Sequence, residues 1–218
     1  MTRLPLSGRE PAGESAARFR AGLARICGDV ELHARFLNTL SLLEHVGSRK
    51  IMLARGTAGD AGTLQHLAEE TRHAFFFKRA AEKLARRRLD HGGACMLAGS
   101  AARFYMARLD ARISSGLPRG NRLPYLYMSL VIEDRAIWAY GIYQRVLTEM
   151  HCGISLKPVL AEEKLHLDAM LNEVEGQDVQ ARNRIPEFCA LEHLAFERLW
   201  SAIEQDCARS TRTLWAAE

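Results

Sequence analysis

Helical periodicity of apolar residues runs through almost all of this 218-residue chain and restricts its fold more than any other feature. Alternating runs of Val, Ile and Thr bounded by turns, which are typical of strands, do not occur. The pattern predicts about six helices separated by turns rich in Gly and Pro. They are expected near residues 15–54, 61–88, 96–114, 124–150, 158–176 and 178–207. The chain should therefore fold as an all-α protein.

The composition is that of an ordinary globular protein, with 48% hydrophobic residues and a net charge of +4. Its five cysteines form no CxxC pair, and an odd count without regular spacing favours a reduced, cytoplasmic protein. No apolar stretch approaches the ~20 residues that span a membrane. Basic residues are scattered, which argues against a nucleic-acid partner. We expect a loose arm at residues 1–14 and a single helical domain at 15–218.

Two short motifs are the first candidates for chemistry, EETRH at residues 69–73 and EEKLH at residues 162–166. Each contains Glu-x-x-His, which sets a carboxylate and an imidazole on one helix face, one turn apart. Apolar residues flank each pair at helical spacing, so both pairs lie on faces that should pack inward. Uncompensated charge is costly in such a place. Each pair is therefore a candidate for binding one ion through both side chains.

A lone glutamate precedes each motif in apolar surroundings. Glu44 lies 26 residues before Glu70, and Glu133 lies 30 residues before Glu163. This spacing fits one antiparallel hairpin, because a return helix rising ~1.5 Å per residue brings its Glu level with the first. The chain then consists of two copies of one unit, a helix with Glu followed by a helix with Glu-x-x-His. Packing the hairpins together would converge six side chains: Glu44, Glu70, His73, Glu133, Glu163 and His166.

Four carboxylates and two imidazoles on four helices form the pattern of di-iron carboxylate bundles. The carboxylates would neutralise two divalent ions and leave positions open for oxygen, and the imidazoles suit iron or manganese. We predict two iron ions (Fe/Fe, with Mn/Fe the alternative) in a ferritin-like antiparallel four-helix bundle with about two additional helices. The competing interpretation makes the six residues buried ion pairs or surface charges. It would have to explain six isolated charges in register on four apolar faces.

The order Glu, Glu-x-x-His, Glu, Glu-x-x-His resembles that of bacterioferritin, rubrerythrin, acyl-carrier-protein desaturases and cyanobacterial aldehyde-deformylating oxygenase. The last of these families is the most similar in length and ligand spacing. Its third ligand helix resembles residues 130–143, where a Tyr two turns after the ligand Glu corresponds to Tyr140. The resemblance implies that the six residues named above are the metal ligands. The substrate stays open, since fold and metal site are shared across many chemistries.

Two further residues are candidate catalytic side chains. His66 lies four residues before Glu70 and points along the same face, as a seventh ligand, as a donor to a ligand, or as an ordinary polar histidine. Tyr140 hydrogen-bonds a ligand, relays an electron, or is a tyrosine that packs in the core. Glu69 and Glu162 each precede a ligand. Their side chains swing about 100° away from it and are expected to be solvated.

Among possible functions, the sequence favours a di-iron oxidase or monooxygenase that uses dioxygen, a small organic substrate and an external electron donor. Aliphatic compounds are among the candidate substrates, and the enzyme should be a monomer or homodimer. Iron storage or detoxification, as in ferritins, is one alternative, although the additional helices would disturb a tight cage. A rubrerythrin-like peroxidase is another, but the paired CxxC motifs of its usual partner module are absent. A metal serving only as a structural clip, or a binding module, is the third.

Overall fold

The computed structural model describes residues 13–55, 59–118 and 122–215, and these form helices and turns without a strand. Beside a short 3₁₀ helix at Gly93–Cys95, the described α-helices are α1 (Gly13–Cys27), α2 (Val30–Arg55), α3 (Ala61–Ala85), α4 (Gly99–Ser115), α5 (Leu123–Glu149), α6 (Lys157–Gln177) and α7 (Ala181–Trp215). The prediction of an all-α protein is confirmed. The arm predicted at 1–14 lies outside the described residues, except for Gly13 and Glu14, which belong to the first turn of α1.

The first predicted helix, at 15–54, is in fact two helices, α1 and α2. The break lies at Gly28 and Asp29. The Asp29 carboxylate accepts hydrogen bonds from the backbone N–H groups of Glu31 and Leu32, at 2.9 and 3.0 Å. Those groups belong to the first turn of α2, where a side-chain acceptor replaces the missing intrahelical partner. Apolar periodicity continues across the break, which is why the pattern predicted one helix.

Helices α2 and α3 form an antiparallel hairpin and pack along each other's length. Lys78 donates a hydrogen bond to the Asn38 side chain at 2.9 Å, and the Ser41 hydroxyl donates to the carbonyl of Ala74 at 2.8 Å. The position on α3 decreases as the position on α2 increases, so the two helices run in opposite directions. The same register brings Glu44 to the level of Glu70, as the spacing predicted.

Helices α5 and α6 form a second antiparallel hairpin. Near the turn between them, the backbone N–H of Leu156 donates to Gln144 Oε1 at 2.6 Å. At the far end, the Tyr127 hydroxyl donates to the Asp178 carboxylate, also at 2.6 Å. This hairpin sets Glu133 beside the second motif. Both hairpins predicted from the spacing of the glutamates are present.

Helices α1, α4 and α7 pack around the two hairpins, α1 mainly against α5 and α2, and α7 against α4 and α5. Phe19 of α1 lies between Trp138 and Trp200, with ring centroids 5.0 and 4.4 Å away. These aromatic rings bury the inner face of α1. About two helices were predicted beyond the hairpins, and the described residues contain three because α1 is separate from α2. Among the described helices, none combines the length and apolar composition needed to cross a membrane.

Candidate metal centre

All six predicted ligands and His66 lie in one buried cluster between the two hairpins. Helix α2 contributes one residue, α3 three, α5 one and α6 two. Each residue is at most 8% exposed; they are Glu44, His66, Glu70, His73, Glu133, Glu163 and His166. Taking this many ionisable groups out of water is costly unless they pair or coordinate a cation. The cluster is therefore the first place to look for a bound ion.

The donor atoms of this cluster fall into two groups of four. One group consists of Glu44, Glu70, His73 and Glu163, and the other of His66, Glu70, Glu133 and His166. Within each group the donor atoms all lie within 4.8 Å of one another, and each group could hold a metal ion. Glu70 belongs to both groups. A carboxylate that bridges two ions would belong to both groups, as Glu70 does.

Glu163 also extends from one group to the other. Its Oε1 lies 3.1 Å from Nδ1 of His73, and its Oε2 lies 3.3 Å from Nδ1 of His166. Oε1 of Glu70 is 3.5 Å from His66 Nε2, 3.5 Å from His166 Nδ1 and 4.0 Å from His73 Nδ1. The glutamates of the two motifs thus lie between the groups. Glu44 and Glu133 each belong to one group only.

Three buried atoms of the cluster lack a hydrogen-bond partner within the protein: His66 Nε2, Glu70 Oε1 and His73 Nδ1. The 3.1 Å contact between His73 and Glu163 does not have hydrogen-bond geometry. Buried polar atoms without partners are rare in native proteins and each costs about 1–3 kcal/mol. Two nitrogens and a carboxylate oxygen left unsatisfied in one cluster are a donor set that fits a divalent cation.

The outer nitrogens of the two motif histidines are held by the leading glutamate of the opposite motif. His73 Nε2 lies 2.7 Å from Glu162 Oε2, and His166 Nε2 lies 2.7 Å from Glu69 Oε2. A carboxylate at Nε2 keeps a proton there, so that Nδ1, which faces the cluster, is the nitrogen that would bind an ion once its own proton is displaced. Arg72 in turn pairs with Glu162 at 2.7 Å.

The expectation that Glu69 and Glu162 are solvated was wrong. Their side chains are only 16% and 28% exposed. The swing of about 100° away from the ligand face directs each of them at the neighbouring motif helix rather than at water. The signal that could have revealed this is the doubled glutamate at the start of both motifs.

Without a cation, the cluster retains protons. Burial and the neighbouring carboxylates raise the pKa of Glu44 and of Glu133 well above the usual value. Burial alone would lower the pKa of the two motif histidines, but the adjacent Glu163 carboxylate raises that of His73 to about 9 and that of His166 to about 10. A metal ion that binds here must displace these protons.

The two candidate catalytic residues lie at opposite sides of the cluster. His66 Nε2 is 3.5 Å from Glu70 Oε1 and 3.6 Å from Glu133 Oε1, which places it among the donor atoms of the second group. The Tyr140 hydroxyl is buried and donates a hydrogen bond to Glu44 Oε1. The sequence left open whether Tyr140 hydrogen-bonds a ligand. In the structure it hydrogen-bonds Glu44, one of the predicted ligands.

A cavity of about 120 Å³ adjoins the cluster. Its wall contains the four glutamates and His66, and most of the remaining lining is apolar, with side chains such as Phe36, Leu40, Ile132 and Trp200. Tyr140 also lines it. The cavity can therefore hold a small apolar molecule in contact with the cluster.

Searches of protein-family models, of curated protein sequences and of solved structures found no match for this chain. The resemblance to ferritin-like di-iron proteins stays a prediction from the motifs. Function has to be inferred from the cluster and its cavity.

Proposed function

We propose that this chain is a di-iron oxidoreductase that uses dioxygen in an oxidase or monooxygenase reaction on a small organic substrate. The observation that supports this most is the pair of overlapping, buried donor groups that share Glu70. Carboxylates and imidazoles without a thiolate suit iron or manganese better than softer metals. We propose two iron ions in a ferritin-like bundle, with a mixed manganese–iron pair as the alternative.

The donor groups suggest a role for each ligand. Glu44 and His73 would hold one ion, Glu133 and His166 the other, and Glu70 and Glu163 would bridge them. His66 would complete the coordination of the second ion. Bound iron supplies the redox chemistry that reduces dioxygen, with electrons from an external donor.

The protein itself would keep the centre dry and orient its ligands. Each of the six predicted ligands is at least nine-tenths buried, which excludes bulk water from the donors. The hydrogen bond from the Tyr140 hydroxyl fixes the orientation of the Glu44 carboxylate and holds a proton at the phenol oxygen. Glu69 and Glu162 fix the two imidazole rings. Each of these contacts reduces the reorganisation that binding an ion would require.

The apolar cavity favours an organic substrate over iron storage. Most of the cavity lining outside the cluster is apolar, and such a wall offers few ligands to hydrated ions that would collect there for storage. An apolar molecule in the same cavity buries its surface against residues such as Phe36 and Ile132. The cavity would thus hold the substrate beside the carboxylates at its wall.

Replacing Glu133 with Ala tests the proposal. After anaerobic loading with ferrous iron, wild-type protein should consume oxygen, and Glu133→Ala should abolish this consumption while its circular dichroism remains helical. Glu175→Ala, an exposed change on α6, is the matched control and should keep the activity. Wild-type oxygen consumption by the Glu133 variant would overturn the assignment.

A further inference from the structure

A second group of metal-binding side chains lies apart from the carboxylate cluster. Cys27 is the last residue of α1, His33 lies in the first turn of α2, and Cys152 lies in the turn between α5 and α6. One donor atom from each residue lies within 4.8 Å of the other two. None of the three belongs to the two donor groups of the carboxylate centre.

The three side chains differ in exposure. His33 is 3% exposed, whereas both thiols are half-buried, so an ion can reach the site from the side of the cysteines. His33 Nε2 lies 3.8 Å from the Cys27 sulfur and 2.6 Å from the Tyr143 hydroxyl. The hydrogen bond to Tyr143 holds the His33 ring beside the Cys27 sulfur, and an ion that binds through Nε2 would replace it.

The turn that presents Cys152 has an uncommon backbone. His151 and Gly153, on either side of it, have φ angles of +53° and +68°. Positive φ is easy for glycine and uncommon for other residues, among which histidine adopts it more often than most. These two residues flank Cys152 in the turn that brings its thiol close to Cys27 at the end of α1.

We propose that Cys27, His33 and Cys152 form a zinc site, separate from the carboxylate centre, that ties the end of α1 to the turn between α5 and α6. Two thiolates and one imidazole are a donor set of tetrahedral zinc, which leaves the fourth position to water. On binding, each thiol loses its proton to solvent and forms a bond to the ion, with no change of oxidation state. The carboxylate centre has no sulfur donor, so sulfur bound to the ion distinguishes the two sites.

A disulfide between the two cysteines is the competing interpretation, and the surroundings favour zinc. The His33 imidazole lies 3.8 Å from the Cys27 sulfur, and one donor atom from each of the three residues lies within 4.8 Å of the other two. Zinc uses all three donors, whereas a disulfide uses only the two sulfur atoms.

The test uses the full chain, reduced and stripped of metal, with zinc alone as the probe. Zinc content per chain is measured after excess ion is removed, and X-ray absorption at the zinc edge reports the atoms bound. Wild-type protein should show sulfur at ~2.3 Å from zinc. The double variant Cys27→Ser/Cys152→Ser should bind one zinc ion fewer and lose the sulfur signal. Cys189→Ser, which changes a half-buried cysteine of α7, should behave as wild type.

Two further results keep this test separate from the di-iron proposal and from misfolding. Glu70→Ala, which removes the residue shared by the two donor groups, should leave the zinc–sulfur signal unchanged. The zinc–sulfur signal is measured in wild-type protein, so this part of the test does not depend on whether a variant folds. Reduced wild-type protein without sulfur bound to zinc would overturn the proposal. So would protein isolated with a disulfide between Cys27 and Cys152, seen as a mass lower by two hydrogen atoms.

Discussion

Glu69 and Glu162 connect the two motifs, since each is bonded to the histidine of the other motif. The two helices that carry the motifs therefore orient each other's candidate ligands. A carboxylate on the outer nitrogen raises the basicity of the inner one and prevents the ring from turning. Ion binding at the two donor groups would therefore depend on Glu69 and Glu162, although neither glutamate belongs to a donor group.

Removing one of these carboxylates should weaken metal binding without removing a ligand. Glu162→Ala leaves His73 Nε2 without its 2.7 Å partner, and we expect iron affinity to fall roughly 10- to 100-fold. Anaerobic competition with a ferrous chelator measures this. Glu175→Ala, exposed on the same helix, should bind as wild type. Equal affinities of the two variants would contradict the role given to Glu162.

The protons held by the cluster give the metal-free protein a defined pH dependence. The pKa values of His73 and His166 are raised from 6.5 to about 9 and about 10. Their contribution to the free energy of unfolding is therefore fully present below pH 6.5 and is lost as pH rises through 9 and 10. Melting temperature in excess chelator should fall across this window. In the double variant His73→Gln/His166→Gln, the melting temperature should fall less over this pH range. A fall as large as in wild-type protein would show that other groups cause it.

The seven residues of the cluster were not equally predictable. The spacing of Glu44 from Glu70, and of Glu133 from Glu163, predicted which residues meet, because the rise of a helix is nearly constant. His66 shares a face with Glu70, but its spacing alone could not distinguish a donor from a polar surface residue. The bonds of Glu69 and Glu162 depend on how α3 packs against α6, which no local pattern determines.

At the scale of helices, α1 depends on a close approach to α7. A Cβ atom built at Gly22 would lie 2.5 Å from Cζ2 of the buried Trp200, far inside van der Waals contact. The approach lets the aromatic rings around Phe19 close over the hairpins. Helical periodicity predicted the faces of these helices. It could not predict the break before α2, which depends on the side chain of Asp29.

Gly22→Ala should therefore destabilise the protein, whereas a matched change elsewhere should not. We expect a loss of about 1–3 kcal/mol in the free energy of unfolding, from overpacking against Trp200. Gly141→Ala in α5 meets nothing within 4 Å and should gain about 0.5–1 kcal/mol from reduced chain entropy. Denaturant unfolding of metal-free protein measures both. Equal effects of the two changes would contradict the close packing of α1.

At the scale of the whole molecule, the two hairpins contribute equivalent donors to one centre. Each supplies a lone glutamate and a Glu-x-x-His pair, and Glu70 belongs to both donor groups. The remaining helices cover the apolar cavity beside it, with Phe19 on α1 and Trp200 on α7 in its wall. Tyr143 lines the same cavity and bonds His33, so the proposed zinc site adjoins it from the other side.

The most direct test of this account is iron content per chain after anaerobic loading with ferrous iron and removal of excess ion. We predict two iron ions per chain in wild-type protein. Glu70→Ala should lose both, because the donor groups share this residue, and Glu175→Ala should keep both. Wild-type protein that retains no iron, or a Glu70 variant that still retains two ions, would contradict the di-iron centre and the function inferred from it.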